Sequence, residues 1–233
     1  MKNYLSFGGG VNSVAMYLYM KDHGVDFTAI FVDHGTDWPE TYRYVNKFKE
    51  KYPLTILKPD VESFDSLYDY CWNKNIIPSM MFRWCTDKFK IKVITKYVEK
   101  PCFMMLGIDY GESHRAKLNT NKGVENRFPL IESKIDRDGC KKIIREHGLP
   151  MPIKSGCYIC SYQKTQQWIQ MRTTFPELWC KADKLERKCN LRRRLDGKKN
   201  IYITGKMSIS ELVNERQSMI WQEDEYPPCE CML

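Results

Sequence analysis

The sequence predicts an α/β protein built on a mainly parallel sheet with helices on both faces, followed by a smaller helical region. Three observations carry this. Short apolar runs alternate with amphipathic stretches over roughly the first 110 residues. Short connections join strand to helix to strand, which favours right-handed crossovers. At the first such junction stand three glycines, "SFGGGVNS".

The elements follow in order. "NYLSF" reads as the first strand and Val11 to Asp22 as a helix, "FTAIFVD" as the second strand, and Pro39 to Lys51 as a helix opened by proline. "LTILKP" gives a third strand, Lys88 to Glu99 a helical pattern, and "CFMMLGI" a fourth strand. Beyond Pro150 to Pro152 the pattern turns helical: Gln163 to Thr173, Pro176 to Cys189 and Ile209 to Trp221. That proline-rich stretch sets the expected boundary between an α/β domain, 1–150, and a helical region, 151–233.

In a parallel sheet of this kind ligands gather at the carboxyl ends of the strands. Glycine tolerates positive φ and lets a ligand approach the backbone, so a glycine triplet between strand and helix suggests amides turned toward an anion. The spacing fits neither the dinucleotide fingerprint nor the Gly-Lys-Ser/Thr phosphate loop.

Composition narrows the partners. The 233 residues are 42% hydrophobic, enough for a core, and 37 Lys and Arg against 29 Asp and Glu give a net charge of +8. That balance suits an anionic partner such as a nucleotide or nucleic acid. The basic run "RKCNLRRRLDGKKN" reads either as a solvated loop or as a contact for a phosphate backbone. No leader-like or membrane-spanning apolar run is present, so the expectation is a cytoplasmic protein without a membrane partner. In that compartment ten cysteines point to metal or redox chemistry rather than to a disulfide framework. "GCYIC" provides Cys157 and Cys160, and "PPCECML" provides Cys229 and Cys231. Two close thiolate pairs can enclose a zinc ion or a [4Fe–4S] cluster. Cys71, Cys102 and Cys140 fall in apolar patterns and read as core.

Ser6, Gly8, Gly9, Gly10, Asn12 and Ser13 resemble the PP-loop of the ATP pyrophosphatases, which has the form Ser-Gly-Gly-x-Asp-Ser; Gly8 and Asn12 depart from it. "VDHGTDWPETY", "RWCTDKFK" and "LGIDYGESHR" resemble, in order, three segments of the phosphoadenylyl-sulfate reductase branch of that superfamily. The matching residues are Asp33, Gly35, Pro39, Glu40 and Thr41; Arg83, Cys85, Thr86 and Lys90; and Gly107, Glu112, Ser113 and Arg115. The resemblance implies a Rossmann-like, adenine-nucleotide-alpha-hydrolase-like fold. It implies ATP or a related adenine nucleotide held by Ser6, Gly8, Gly9, Gly10, Asn12, Ser13, Asp33 and Gly107, with magnesium. Asn12, Arg83, Lys90 and Arg115 are the implied catalytic residues. Asp33 also has a plain reading as the cap of its own turn.

The segment around "GCYIC" and the cysteine-bearing terminus resemble a phage and bacterial group of reductase-like proteins. Related branches hold [4Fe–4S] clusters, so Cys157, Cys160, Cys229 and Cys231 are the implied ligands, with iron–sulfur ahead of zinc and Cys85 as a candidate fourth or replacement ligand. The leading reading is adenylation-linked sulfur transfer, with a nucleic acid or a sulfur donor among the partners. One alternative is a phosphoadenylyl- or adenylyl-sulfate reductase, whose Glu-Cys-Gly-Leu-His-like tail is kept here only as Glu230 and Cys231. The other is a nucleotide- or nucleic-acid-binding module with structural zinc.

Overall fold

The computed structural model describes residues 1–117, 122–153 and 155–216. Strands β1 (Lys2–Ser6), β2 (Thr28–Val32) and β3 (Thr55–Leu57) are joined by helices α1 (Val11–Asp22) and α2 (Pro39–Lys51). Then come α3 (Leu67–Lys74), a short α4 (Trp84–Thr86) running through a wide π turn at Asp87–Ile91 into α5 (Lys92–Tyr97), and β4 (Cys102–Leu106). A 3-10 turn at Tyr110–Arg115, strand β5 (Val124–Arg127), and helices α6 (Pro129–Glu132) and α7 (Arg137–Glu146) complete the sheet region. Helices α8 (Thr165–Thr174), α9 (Pro176–Leu195) and α10 (Ile209–Arg216) follow.

All four strand pairings are parallel, in the order β3-β2-β1-β4-β5. The two-residue period of a strand sends alternate side chains to opposite faces. Leu5, Ala29, Phe31 and Met105 therefore join one core with α1, α2 and α7, while Tyr4, Ile30, Val32 and Met104 join Ile94 and Val98 on the other. Helices cover both faces, as expected of an α/β Rossmann-like sheet. Complete burial of a side chain such as Leu5 or Ile144 is worth about 1.5–3 kcal/mol.

A third core mixes residues from both sides of Pro150: Trp38, Tyr70 and Phe89 pack with Tyr158, Trp168, Met171 and Leu185. Cys71, Cys102 and Cys140 are fully buried core residues.

Three local expectations change. The Lys88 to Glu99 helix breaks into a π turn and a short α5. Helix α9 continues six residues past Cys189, so much of the basic run is helical rather than a loop. Strand β5 and helices α3 and α7 were not expected: α3 and α7 start at the side-chain caps Ser66 and Asp136, whereas β5, "VENR" with only Val124 buried, is a strand because it pairs with β4.

Candidate functional site

The sheet order reverses at β1, whose chain continues to β2 on one side while β4 lies on the other. The crevice beyond the carboxyl ends of β1 and β4 is thus the topological switch point. Glycines follow both ends. Gly9 has φ +70°, and a Cβ at Gly107 would lie 3.0 Å from Ser13 N and 3.1 Å from Asn12 C, so only glycine lets β4 and α1 approach this closely. Gly10 forms the N-cap of α1 with no side-chain cap, and the first turn carries no acidic residue, so no side chain of the helix itself offsets its positive end. The Gly8 amide donates to Ser13 Oγ at 3.2 Å, and that hydroxyl donates to Gly10 O at 3.0 Å, so the loop closes on itself. Ser6 ends β1 beside Leu106 of β4.

Asn12 is 6% exposed and sits in a charged cluster. Its Nδ2 donates to Asp109 Oδ2 at 3.0 Å and lies 3.5 Å from Glu112 Oε2, while Arg137 donates to its Oδ1 at 2.7 Å. Glu112 also pairs with Arg115 at 2.7 Å. An amide supplies both a donor for the carboxylates and an acceptor for the guanidinium, which a carboxylate at position 12 would not. Asp109 follows β4, a place where a strand-end ligand is expected; Arg137, opening α7, carried no sequence signal.

Asp33 Oδ1 accepts from the Gly35 amide at 3.0 Å and from Tyr42 OH at 2.8 Å, tying the turn after β2. Onto that turn the Cys157 segment is stitched. The Trp38 amide donates to Gly156 O at 3.0 Å, the Tyr158 amide to Thr36 O at 2.8 Å, and Cys157 Sγ to Thr36 Oγ1 at 3.1 Å. Ser155 Oγ lies 2.6 Å from where a Cβ on Gly10 would stand, so the cysteine segment touches the glycine loop.

Cys85, Cys157, Cys160, His34, Arg83 and Lys90 line one cavity. Arg83, in a left-handed conformation at φ +45°, stacks its guanidinium over the Tyr162 ring at 5.8 Å. His34 is 1% exposed; its Nδ1 bonds Thr36 Oγ1 at 2.6 Å, and its buried Nε2 has no hydrogen-bond partner, although Asp37 Oδ2 lies 3.5 Å away. Burial pushes His34 below its ordinary pKa, partly countered by Asp37. Burial likewise raises the Cys157 thiol well above its usual value, and it raises Cys85 despite the nearby Lys90 ammonium. Buried thiols stay protonated and are poor nucleophiles until a metal displaces the proton.

The implied site residues therefore fall into two groups. Asn12 and Arg115 both reach Glu112 beside α1; Arg83, Lys90, Cys157 and Cys160 line the cavity. Cys229 and Cys231 lie outside the described residues. Among the described residues no three His, Cys, Asp or Glu side chains are grouped as a metal-binding set. No helix among them is long and apolar enough to cross a membrane.

Two uncharacterized proteins of Methanocaldococcus jannaschii are similar to this chain. One is 24% identical over 208 residues, covering 80% of this chain and 49% of its own length; the other is 22% identical over 204 residues, covering 78% and 41%. The chain thus spans about half the length of the curated relatives it matches or less. The crystal structure of a phosphoadenylyl-sulfate (PAPS) reductase from Candida auris, a phosphate complex, aligns with TM-score 0.48 and 19% identity over 65% of this chain and 75% of that one. Residues 2–127, from β1 through β5 with the glycine loop, Asn12, Arg83, Lys90 and Arg115, match the phosphoadenosine phosphosulfate reductase domain, and the chain belongs to that family.

Proposed function

We propose that the chain binds ATP or a related adenine nucleotide at the glycine loop and uses it to activate an acceptor for sulfur transfer. The observation that supports this most is the close approach of Ser155 to Gly10, which brings the Cys157–Cys160 segment to the glycine loop. An uncapped helix N-terminus and a glycine-bounded crevice suit a phosphate chain. An acceptor oxygen attacks the α-phosphorus; the new P–O bond forms as the bond to the bridging oxygen breaks, and pyrophosphate leaves with the electron pair. Sulfur already at the sulfide level then attacks the adenylated carbon; C–S forms, C–O breaks, AMP departs, and no net oxidation occurs.

Arg83 and Lys90, on the cavity wall, would face the charge that develops on phosphate. Arg115 and Arg137 hold Glu112 and Asn12 in place beside the loop. Thiols on the cavity wall, with the orphaned His34 Nε2 among them, are donors of the soft type that zinc or a [4Fe–4S] cluster takes. Cys157 and Cys160 would hold such a group, with Cys85 on the same wall and Cys229 and Cys231 as further ligands. When bound, a cluster would supply an iron site able to present reduced sulfur.

The test is calorimetry with ATP, together with pyrophosphate release in the presence of candidate acceptors, on protein purified without oxygen. ATP binding with pyrophosphate release supports the reading. Sulfite released from activated sulfate, without pyrophosphate from ATP, replaces it with the sulfonucleotide reductase reading.

A further inference from the structure

Next to the cysteine cavity the molecule exposes three consecutive large apolar side chains: Met80 is 43%, Met81 82% and Phe82 74% exposed. Such a cluster marks an interaction site rather than a random surface. It forms one wall of an open groove of about 1080 Å³, larger than the ~300–1,000 Å³ of ordinary small-molecule sites. The opposite wall is the chain from Asn200 to Gly205, directly after the basic run.

The groove and the cysteine cavity share Pro78 and Ser79. Tyr162, two residues past Cys160, anchors the exposed loop by donating its hydroxyl to Met80 O at 3.1 Å. On the other wall Gly205 leaves room for Met80, whose Cε would be 3.4 Å from a Cβ there.

We propose that this groove binds single-stranded nucleic acid, with bases stacked on Phe82, Trp84 and Tyr202 and the phosphates met by Arg193 and Lys88. Stacking platforms flanked by cations are the means by which proteins hold single strands with little regard to sequence. Among the described residues no aspartate or glutamate lines the groove. Arg193 is fixed at its edge, its Nε donating to Lys199 O at 2.6 Å, and Lys88, over the Tyr70 ring at 5.0 Å, is paired at 3.2 Å with Glu62, which lies outside the groove lining. Of the other cations of this run, Arg187 pairs with Asp183, and Arg192 and Lys198 share Asp196, so the run keeps a positive balance, in a chain of net charge +8. An apolar groove for a protein partner would need neither this cationic edge nor the absence of acids. The inference deepens the sulfur-transfer reading by naming the acceptor class, and it rests on that reading only for what is done to the strand, not for the binding.

The test is fluorescence anisotropy of the full chain with labelled single-stranded RNA and DNA oligonucleotides, polyphosphate serving as a competitor without bases. Binding weakens about twentyfold between about 50 and 200 mM salt if about three phosphates are neutralised. Phe82→Ala lowers affinity about tenfold and Phe82→Trp restores it, because stacking is lost and regained. Arg193→Ala lowers the salt slope by about one contact. Phe82 is exposed, so its replacement leaves the fold intact, which circular dichroism checks. Absence of strand binding at low salt, affinities unchanged in both alanine variants, or displacement by polyphosphate as effective as by oligonucleotide overturns the proposal. ATP calorimetry on the same samples keeps the two readings separate: strand binding without ATP binding sinks the activation chemistry alone, and ATP binding without strand binding sinks this inference alone.

Discussion

Asn12 and Asp109 lie 97 positions apart in the chain and meet in a buried hydrogen bond of 3.0 Å, the amide Nδ2 donating to the carboxylate Oδ2. The bond joins the first turn of α1 to the residues after β4, across the crevice at which the sheet changes direction. It also gives a physical reason for an asparagine where related loops carry aspartate. With Asp109 and Glu112 both facing position 12, a third carboxylate would lose a donor and add repulsion.

Asn12→Asp is expected to destabilise the fold by about 1–3 kcal/mol at neutral pH, Arg137 offsetting only part of the repulsion. Crowding raises the pKa of the new carboxyl in the folded state. The loss should therefore shrink as pH falls and the group takes up a proton. Urea unfolding of both proteins across a pH series measures it; a variant as stable as the parent at neutral pH would refute the account of Asn12.

Gly107→Ala should cost about 1–3 kcal/mol by overpacking, because its Cβ would press on the backbone of Asn12 and Ser13. It should also weaken ATP binding by displacing the glycine loop. Gly156→Ala is the comparison: nothing lies within 4 Å of a Cβ there, so its melting temperature should stay close to the parent's. Equal melting temperatures for the two variants would contradict the close approach of β4 and α1.

Glu186 is 1% exposed and accepts from the Ile203 amide at 2.7 Å and the Ile209 amide at 3.1 Å, holding the chain that forms one wall of the groove. Burial pushes its pKa up from 4.5 to about 7. The folded state therefore binds the proton more tightly than the unfolded one. The stabilisation from protonated Glu186 is complete below about 4.5 and is lost as pH rises through about 7. Glu186→Gln should flatten stability against pH across that window and cost about 1–3 kcal/mol, since one of the two amides loses its acceptor. Denaturant midpoints measured from pH 4.5 to 7 check both, and an unchanged slope would remove Glu186 from the titration.

Cys157→Ser and Cys160→Ser should each lower bound iron or zinc to a small fraction of the parent's. Cys180→Ser, at an exposed position on α9, should retain it. Metal and acid-labile sulfide analysis of anaerobically purified protein reads the outcome. Equal metal in all three variants would exclude the Cys157–Cys160 turn as the binding site.

The sequence by itself determined the frame from β1 to α2. Alternation of apolar residues, proline at the start of α2 and glycines after β1 are local signals, and the helices Val11–Asp22 and Pro39–Lys51 form where those signals place them. The glycine loop, Arg83, Lys90 and Arg115 could be nominated as candidates from the sequence because they sit in contiguous motifs. Only the tertiary structure decided that Arg137 reaches Asn12, that Ser155 touches Gly10 and that the Cys157 turn is stitched to Thr36. These partners are more than 120 residues apart. Hydrophobic periodicity records which face of an element is buried, whereas the partner it is buried against is fixed by how the elements stack, and no local stretch of sequence encodes that.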